Sequence, residues 1–465
     1  MTAPRRTGGA PRRGDRRVDR PRTAALEVLR CVRVEGAYTN LVLPAAIARA
    51  GLEGRDAAFV TELASGTIRR QGTYDAILGA CIDRPLRKVE VGVLDALRLG
   101  CHQLLGMRVA PHAAISTTVD LVHARQGKGA AGFANAVLRK VASRDLDAWR
   151  DVVAPAIGGD RDTRMTALSV RHSHPRWVVD LLDQAVPDGE VEELLAADNV
   201  PPRVTLAARP GLADRSELPG TPTPFSPYGT VLEGGDPAAV PAVAEGRAGV
   251  QDEGSQLVAH ALAAAPLTGT DDLWIDLCAG PGGKAALLAA LAAQRGARLA
   301  AVELHPHRAR LVARALEPLG DRPYGVVAAD GARPPFRAGR ADRVLVDAPC
   351  TGLGALRRRP EARWRRGPDD LVTLVLLQRR LLGSAIDLVR PGGVVLYATC
   401  SPVHAETRDV VRSVLGARAD VTLEDVRPLL PGVTGADGPV EGTAQLWPHR
   451  HGTDAMFLAL LRRSR

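Results

Sequence analysis

Two of the six cysteines stand where a thiol can react. Cys350 closes the segment Asp347-Ala-Pro-Cys350, and Cys400 lies in Thr399-Cys400-Ser401, each just past an apolar run of strand-like composition. If those runs are neighbouring strands, both thiols share one rim of a sheet. Ser401 and Pro402 suit an N-cap and a first helical turn, and a thiol at a helix N-terminus has a lowered pKa and is the better nucleophile. Cys31, Cys81 and Cys101 lie on apolar helical stripes and read as small buried hydrophobes. Cys278 reads as strand-end packing that borders a glycine loop.

That loop is Cys278-Ala-Gly-Pro-Gly-Gly-Lys284, set between the apolar run 273–278 and a small-residue helix. Gly280, Gly282 and Gly283 let the backbone turn sharply and approach a ligand, and the first N–H groups of the helix face that ligand. Neither the dinucleotide fingerprint nor the phosphate loop is present. Later strand-like runs end in acids: Glu303, twenty residues past Gly283, then Asp330, then Asp347. An acid placed like Glu303 can take both hydroxyls of a ribose. Three acids at successive strand ends, with no phosphate loop, point to a nucleoside without a polyphosphate, which S-adenosylmethionine fits. Lys284 answers either a carboxylate of that ligand or an Asp of the site.

A thiolate beside a methyl donor has one evident use. C5 of a pyrimidine is a poor nucleophile, but a thiolate adding at C6 makes an enamine whose C5 attacks an electrophilic methyl group. Asp347 could hydrogen-bond the N3/N4 edge of the base, and a second thiol could assist release.

These residues need a framework. Apolar segments 273–278, 298–304, 324–329, 342–348 and 393–400 alternate with helical segments 283–295, 305–319, 369–390 and 405–417. That pattern predicts an α/β Rossmann-like domain over 251–465 with a mostly parallel, doubly wound sheet. The run 455–461 reads as an antiparallel strand closing it. Residues 23–145 are helical throughout: Leu94, Leu97, Cys101 and Leu104 share one face, as do Ala58, Phe59, Leu63 and Ile68, with breaks at Pro85, Pro111 and Gly127–Gly129. They predict an all-α domain of five or more helices. Residues 150–250, rich in Pro and Gly after one amphipathic helix, read as a small α+β linking domain. Residues 1–22, with eight Arg and two Asp, read as a disordered basic tail.

The net charge is +9, and the tail carries +6 of it, so the folded part is only mildly basic. Placement matters more. Arg357-Arg-Arg-Pro-Glu-Ala-Arg-Trp-Arg-Arg366 follows the Pro-Cys segment directly, and six Arg with one Trp suit phosphate contacts and base stacking. A base must be unstacked to reach a thiolate, so a single-stranded or loop site is expected. The cysteines form no C-x-x-C pair, which argues against a zinc ribbon or disulfide framework and for a reducing cytoplasm. His449, His451 and Asp454 lack metal-ligand company and read as a structural or substrate-edge loop, so no metal is expected. No run of eighteen apolar residues is present, so no membrane span is expected. Nothing in the sequence sets the oligomeric state.

In this order the motifs resemble a known family. Asp276-Leu-Cys-Ala-Gly-Pro-Gly-Gly-Lys284, Asp347-Ala-Pro-Cys350 and Tyr397-Ala-Thr-Cys-Ser401 are similar to those of the RNA 5-methylcytosine methyltransferases. Together with Val250-Gln-Asp-Glu-Gly-Ser-Gln256 and a NusB-like front, their order resembles that of the RsmB (Sun/Fmu) branch. At the front, Ala58-Phe-Val-Thr-Glu-Leu-Ala-Ser-Gly-Thr-Ile-Arg69, Pro111-His-Ala-Ala-Ile-Ser116 and Gly132-Phe-Ala-Asn-Ala-Val-Leu-Arg139 resemble the NusB-type RNA-binding domain. The resemblance implies S-adenosylmethionine as cofactor and RNA, in particular small-subunit ribosomal RNA, as partner. It implies Cys400 as nucleophile and Cys350 as the residue of product release. It also implies that Cys278, Ala279, Gly280, Pro281, Gly282, Gly283, Lys284, Glu303, Asp330 and Asp347 contact the cofactor. Gly280 stands where the family usually has Ala or Ser, and Ala285 where Thr is common. Two other readings stay open: a DNA cytosine methyltransferase, whose nucleophile is the Pro-Cys cysteine, and an RNA-binding factor with a vestigial catalytic domain.

Overall fold

A computed structural model describes residues 19–320 and 324–464. Most of the expected tail lies outside those residues. Its last part does not fit the expectation: helix α1 (Arg20–Val34) begins inside it, with Asp19 accepting from Arg22 N at 2.9 Å. The chain divides into two compact units after Ala154.

The first unit is helical: α1, α2 (Thr39–Arg49), α3 (Gly54–Arg69), α4 (Gln71–Cys81), α5 (Val91–Leu105), α6 (Pro111–Val141) and α7 (Leu146–Val153). Leu94, Leu97 and Cys101 are buried as their spacing predicts, together with Val137, Leu138 and Val141. On α3 the buried stripe is Val60, Leu63, Ala64, Thr67 and Ile68. It is turned from the expected one: Ala58 is exposed and Phe59 half-buried, with the Arg22 guanidinium 4.9 Å from its ring. Gly127 breaks α6 at φ +86°, the left-handed region that glycine enters without penalty.

The second unit opens with α8 (Arg161–Arg171), α9 (Arg176–Ala185) and α10 (Val191–Ala197). A small antiparallel sheet follows: β1 (Thr205–Ala208), β2 (Thr221–Pro222), β3 (Gly229–Val231) and β4 (Ala248–Val250), ordered β2-β3-β1-β4, with the short α11 (Pro241–Ala244) before β4. The α+β content was expected, but residues 155–250 do not stand apart as a linking domain. They form one unit with the large sheet. Helices α8 to α10 share a core with Leu353, Leu356, Val403 and Trp447, so they brace the loops that carry both cysteines.

The rest is α12 (Glu253–Ala264), β5 (Leu273–Asp276), α13 (Gly283–Gln294), β6 (Arg298–Glu303), α14 (Pro306–Leu316), β7 (Tyr324–Ala328), β8 (Ala341–Asp347), α15 (Ala362–Arg365), α16 (Pro368–Leu388), β9 (Val389–Thr399), α17 (Arg408–Ala417), β10 (Val421–Glu424), β11 (Ala444–Gln445), α18 (Pro448–His451) and β12 (Phe457–Arg463). Strands β7-β6-β5-β8-β9 run parallel. Antiparallel β12 pairs β9, as the last apolar run foretold, but it does not close the sheet: β10 lies outside it. The strands read as continuous apolar runs because both faces are covered. Leu345 and Leu396 point to the α12–α13 side, while Val344, Val346, Val395 and Tyr397 point to the α16–α17 side. The chain reverses direction across the sheet between β5 and β8, the switch point where such folds bind ligands. Among the described residues no helix is long and apolar enough to cross a membrane.

Candidate active site

Three strand ends meet at that switch point. After β5 the backbone is pinned on both sides, Leu277 N to Leu345 O at 3.0 Å and Ala279 N to Val302 O at 2.9 Å. It then turns through Gly282 at φ +118° into α13. A side chain at Gly282 would strike Ala315 Cβ at 2.7 Å, and one at Gly280 would sit on Glu303 Oε2. The departure at Gly280 therefore has a structural counterpart, because the Glu303 carboxylate occupies the space an alanine would fill. Arg308 Nη2 donates to Gly280 O at 2.7 Å and lies 3.4 Å from Glu303, tying loop and acid together. Glu303, at the end of β6, is buried and accepts from His305 N at 2.9 Å. Asp330 is half-buried beyond β7 and accepts from Ala332 N at 2.9 Å.

Asp276, at the end of β5, is a member of the site that spacing alone did not single out. It is fully buried; Oδ1 accepts from Cys278 N at 3.1 Å, and Oδ2 has no hydrogen-bond partner among the described residues. Burial, helped by the negative Asp347, pushes its pKa up to about 7. The same burial and the nearby acids hold the Cys278 thiol well above the usual range, which keeps it protonated and unreactive.

Lys284 Nζ meets Asp347 Oδ2 at 2.9 Å, joining the start of α13 to the end of β8. Burial works against the ammonium, but Asp347 and Cys400 outweigh it and its pKa rises. Of the two alternatives for Lys284, the acid of the site is the one observed. Cys350, three residues past β8, and Cys400, one past β9, lie side by side because β8 and β9 are neighbours, with Asp347 opposite Ala398. Their sulfurs are 3.5 Å apart. The Cys400 pKa is lowered, first by the hydrogen bond from the Cys350 thiol and then, against burial, by Arg359 and Lys284. That of Cys350 is raised by the same bond, by burial and by the negative charge around it. The surroundings thus favour the thiolate on Cys400 over the one on Cys350.

The reason for the acidity of Cys400 differs from the sequence expectation. No helix starts at Ser401. A 3-10 turn at His404–Glu406 intervenes and α17 begins at Arg408, so no helix N-terminus faces the thiol. Ser401 instead donates to Glu406 Oε2 at 2.6 Å. The arginine run also differs. Arg357 Nη2 donates to Gly452 O at 2.8 Å, and Arg358 pairs with Asp252 and Asp454. Arg363 is fully buried and donates to Ser173 O and Asn199 Oδ1. These three hold the fold; Arg365 is exposed and Arg366 half-exposed. His449 bonds Glu190 at 2.9 Å and His451 bonds Thr434 O at 3.0 Å, both structural. Among the described residues no three His, Cys, Asp or Glu are grouped to hold a metal.

The family profile of 16S rRNA methyltransferase RsmB/F matches residues 264–462, and that of the NusB family residues 19–143. Ribosomal RNA small subunit methyltransferase B of Pseudomonas syringae is 33% identical over 412 residues, covering 85% of this chain and 86% of its own. The chain belongs to the RsmB/F methyltransferase family. Rv1407 of Mycobacterium tuberculosis is 51% identical over 463 residues, 97% of this chain and 98% of its own. The crystal structure of PH0851 shares the fold at 23% identity, with a TM-score of 0.78 over 96% of this chain and 98% of that one. The methyl donor of this RsmB/F enzyme is S-adenosylmethionine. The site fits such a ligand. Among the described residues Asp276 Oδ2 is a buried acceptor without a donor, Glu303 Oε2 lies 3.4 Å from Arg308, and the space beside Gly283 is open.

Replacing Glu303 by Ala is expected to leave the protein folded and weaken S-adenosylmethionine binding by about 1.5–3 kcal/mol, the range for hydrogen bonds to a charged group. Calorimetric titration checks this; unchanged affinity would remove Glu303 from the site.

Proposed function

We propose that the protein is an RNA (cytosine-C5) methyltransferase that forms 5-methylcytosine in small-subunit ribosomal RNA, in the cytoplasm, by covalent cysteine catalysis. The observation that carries this reading is the thiol pair: two cysteines 3.5 Å apart, beside a Lys–Asp pair at the switch point. A methyltransferase acting on nitrogen or oxygen has no use for such a pair.

In this reading the Cys400 thiolate adds to C6 of cytosine, and the C5=C6 electron pair becomes available at C5. S-adenosylmethionine, when bound, supplies an electrophilic methyl group to that carbon. A base then takes the C5 proton, the C5=C6 bond re-forms, and the C6–sulfur bond breaks to return the thiolate. Cys350, which keeps its proton, serves in that last stage. Asp347, fixed by Lys284, contacts the N3/N4 edge of the base and favours the addition. Residues 278–284, Glu303, Asp330 and Asp347 hold the cofactor, with Asp276 behind them. Methyl transfer to total RNA from a strain lacking the gene, with bisulfite sequencing to place the mark, tests the reading. Label on DNA and none on RNA would overturn it.

The helical unit and the loop after Cys350 bring the RNA. Arg357 is buried, whereas Arg365 is exposed and Arg366, 3.6 Å from Asp370, is half-exposed, so these last two are the arginines of the loop best placed to meet phosphates. Replacing both by Ala should lower the slope of log affinity against log salt by about 1.4, given roughly 0.7 per phosphate contact on single strands. A slope equal to that of the native protein would exclude the loop from RNA binding.

A further inference from the structure

Glu406 is a buried carboxylate placed between the two cysteine loops, and the mechanism above gives it no task. It accepts four hydrogen bonds. Oε1 takes Thr351 N at 2.7 Å and Gln378 Nε2 at 3.0 Å; Oε2 takes Ser401 Oγ at 2.6 Å and the Thr351 hydroxyl. Thr351 directly follows Cys350 and Ser401 directly follows Cys400, so a single carboxylate grips the residue next to each thiol. Gln378, from α16, also donates to Pro349 O at 2.9 Å, so Cys350 is held by the backbone on both sides. On the other loop Gly354 N donates to Cys400 O at 2.9 Å. The Tyr397 hydroxyl donates to Glu406 O at 2.7 Å, which anchors the acid to β9.

A carboxylate is a costly thing to bury, and it persists only where its acceptor capacity is used. Here every donor it meets lies in a cysteine loop or on the helix behind one. We propose that Glu406 is a positioning residue that sets the spacing of Cys350 and Cys400 and so determines when the second thiol can act. The proposal rests on the covalent cysteine reading for its catalytic consequence, but not for its geometry. Without Glu406 the Thr351 loop loses its fixed register against Ser401. Cys400 can still attack, while Cys350 no longer stands ready for release.

The spacing can be read without any methyl transfer. Diamide takes up the two thiol hydrogens as a disulfide forms, so its rate of bridging Cys350 to Cys400, followed by mass spectrometry of the bridged peptide, reports how well the sulfurs are held together. In full-length protein, Glu406→Ala should slow bridging about tenfold, the effect of losing roughly one net hydrogen bond of alignment. Glu406→Gln, whose amide can still serve the Thr351 N–H and the two hydroxyls, should stay within about threefold of the native rate. With cytosine-containing RNA and S-adenosylmethionine, Glu406→Ala should accumulate a covalent adduct that Glu406→Gln does not, with cofactor affinity unchanged in both. If Glu406→Ala fails to fold, Thr351→Val removes one donor without burying a lone charge and should slow bridging about threefold. Native bridging rates in folded Glu406→Ala, or in Thr351→Val, would overturn the proposal. Slow bridging in Glu406→Ala, with no adduct formed by the native protein on RNA carrying 5-fluorocytosine, would leave the positioning role standing and instead defeat the covalent mechanism.

Discussion

Cys400→Ala should abolish methyl transfer and form no covalent RNA complex, whereas Cys350→Ala should let a protein–RNA adduct build up that survives denaturing electrophoresis. The first loss should reach about six orders of magnitude, the scale on which a deleted nucleophile acts. The asymmetry follows from the electrostatics of the pair. The two sulfurs share a hydrogen bond, and Arg359 and Lys284 favour the Cys400 thiolate, so Cys400 is the one disposed to attack. The sign of the pH dependence follows too. A lowered thiol pKa keeps the thiolate populated to lower pH than in an ordinary cysteine. Iodoacetamide labelling of Cys400 should therefore persist below the usual thiol range. Cys350→Ala, by removing the largest stabilising hydrogen bond, should move the midpoint up.

The second large effect is on stability. Arg363→Ala should destabilise the second unit by about 3–5 kcal/mol, the cost of breaking a buried charged network from one side. Arg363 is fully buried, and its guanidinium donates to Ser173 O and Asn199 Oδ1 at 3.1 and 2.9 Å, and to Asp198 O at 3.3 Å. Its charge also counteracts the burial that pushes the Asp198 pKa up to about 7. Asp198 is an acid whose folded pKa lies above its unfolded value. The folded state therefore binds the extra proton at this group, and the contribution of Asp198 to stability falls as pH rises from about 4 to about 7. Without Arg363 that loss should deepen. Urea unfolding of native and variant protein at pH 5 and pH 8 checks both statements; a variant within about 0.5 kcal/mol of native at both would mean that the buried guanidinium contributes nothing.

What could be read in the sequence was what is local along the chain. Glu303 and Asp347 were legible because parallel strands buried on both faces leave unbroken apolar runs, and the acid ending each run marks the ligand rim. The two thiols could be placed on one rim because successive strands of such a sheet tend to be neighbours. The structural part of the arginine run was missed for the opposite reason. Its partners Asp252, Asp454, Ser173 and Asn199 lie about 90 to 190 positions away, and sequence spacing carries no trace of them. The segment Val250–Gln256 served in the sequence only as a family signature. In the fold, Asp252 holds Arg358, and Glu253 takes Phe225 N and Ser226 N, joining the small sheet to the large one. Ser401 looked like a helix cap because Ser-Pro favours one. The five residues that follow instead bring Glu406 back over the cysteines. Strand β10 escaped notice because an edge strand of four residues with alternating polarity leaves little apolar run to see.

The central claim is that Cys400, not Cys350, attacks the base. RNA carrying 5-fluorocytosine should trap the native enzyme after methyl transfer, because fluorine at C5 cannot leave as a proton does. Peptide mapping of that adduct should find the RNA on Cys400; RNA found on Cys350 would reverse the two roles and contradict the account.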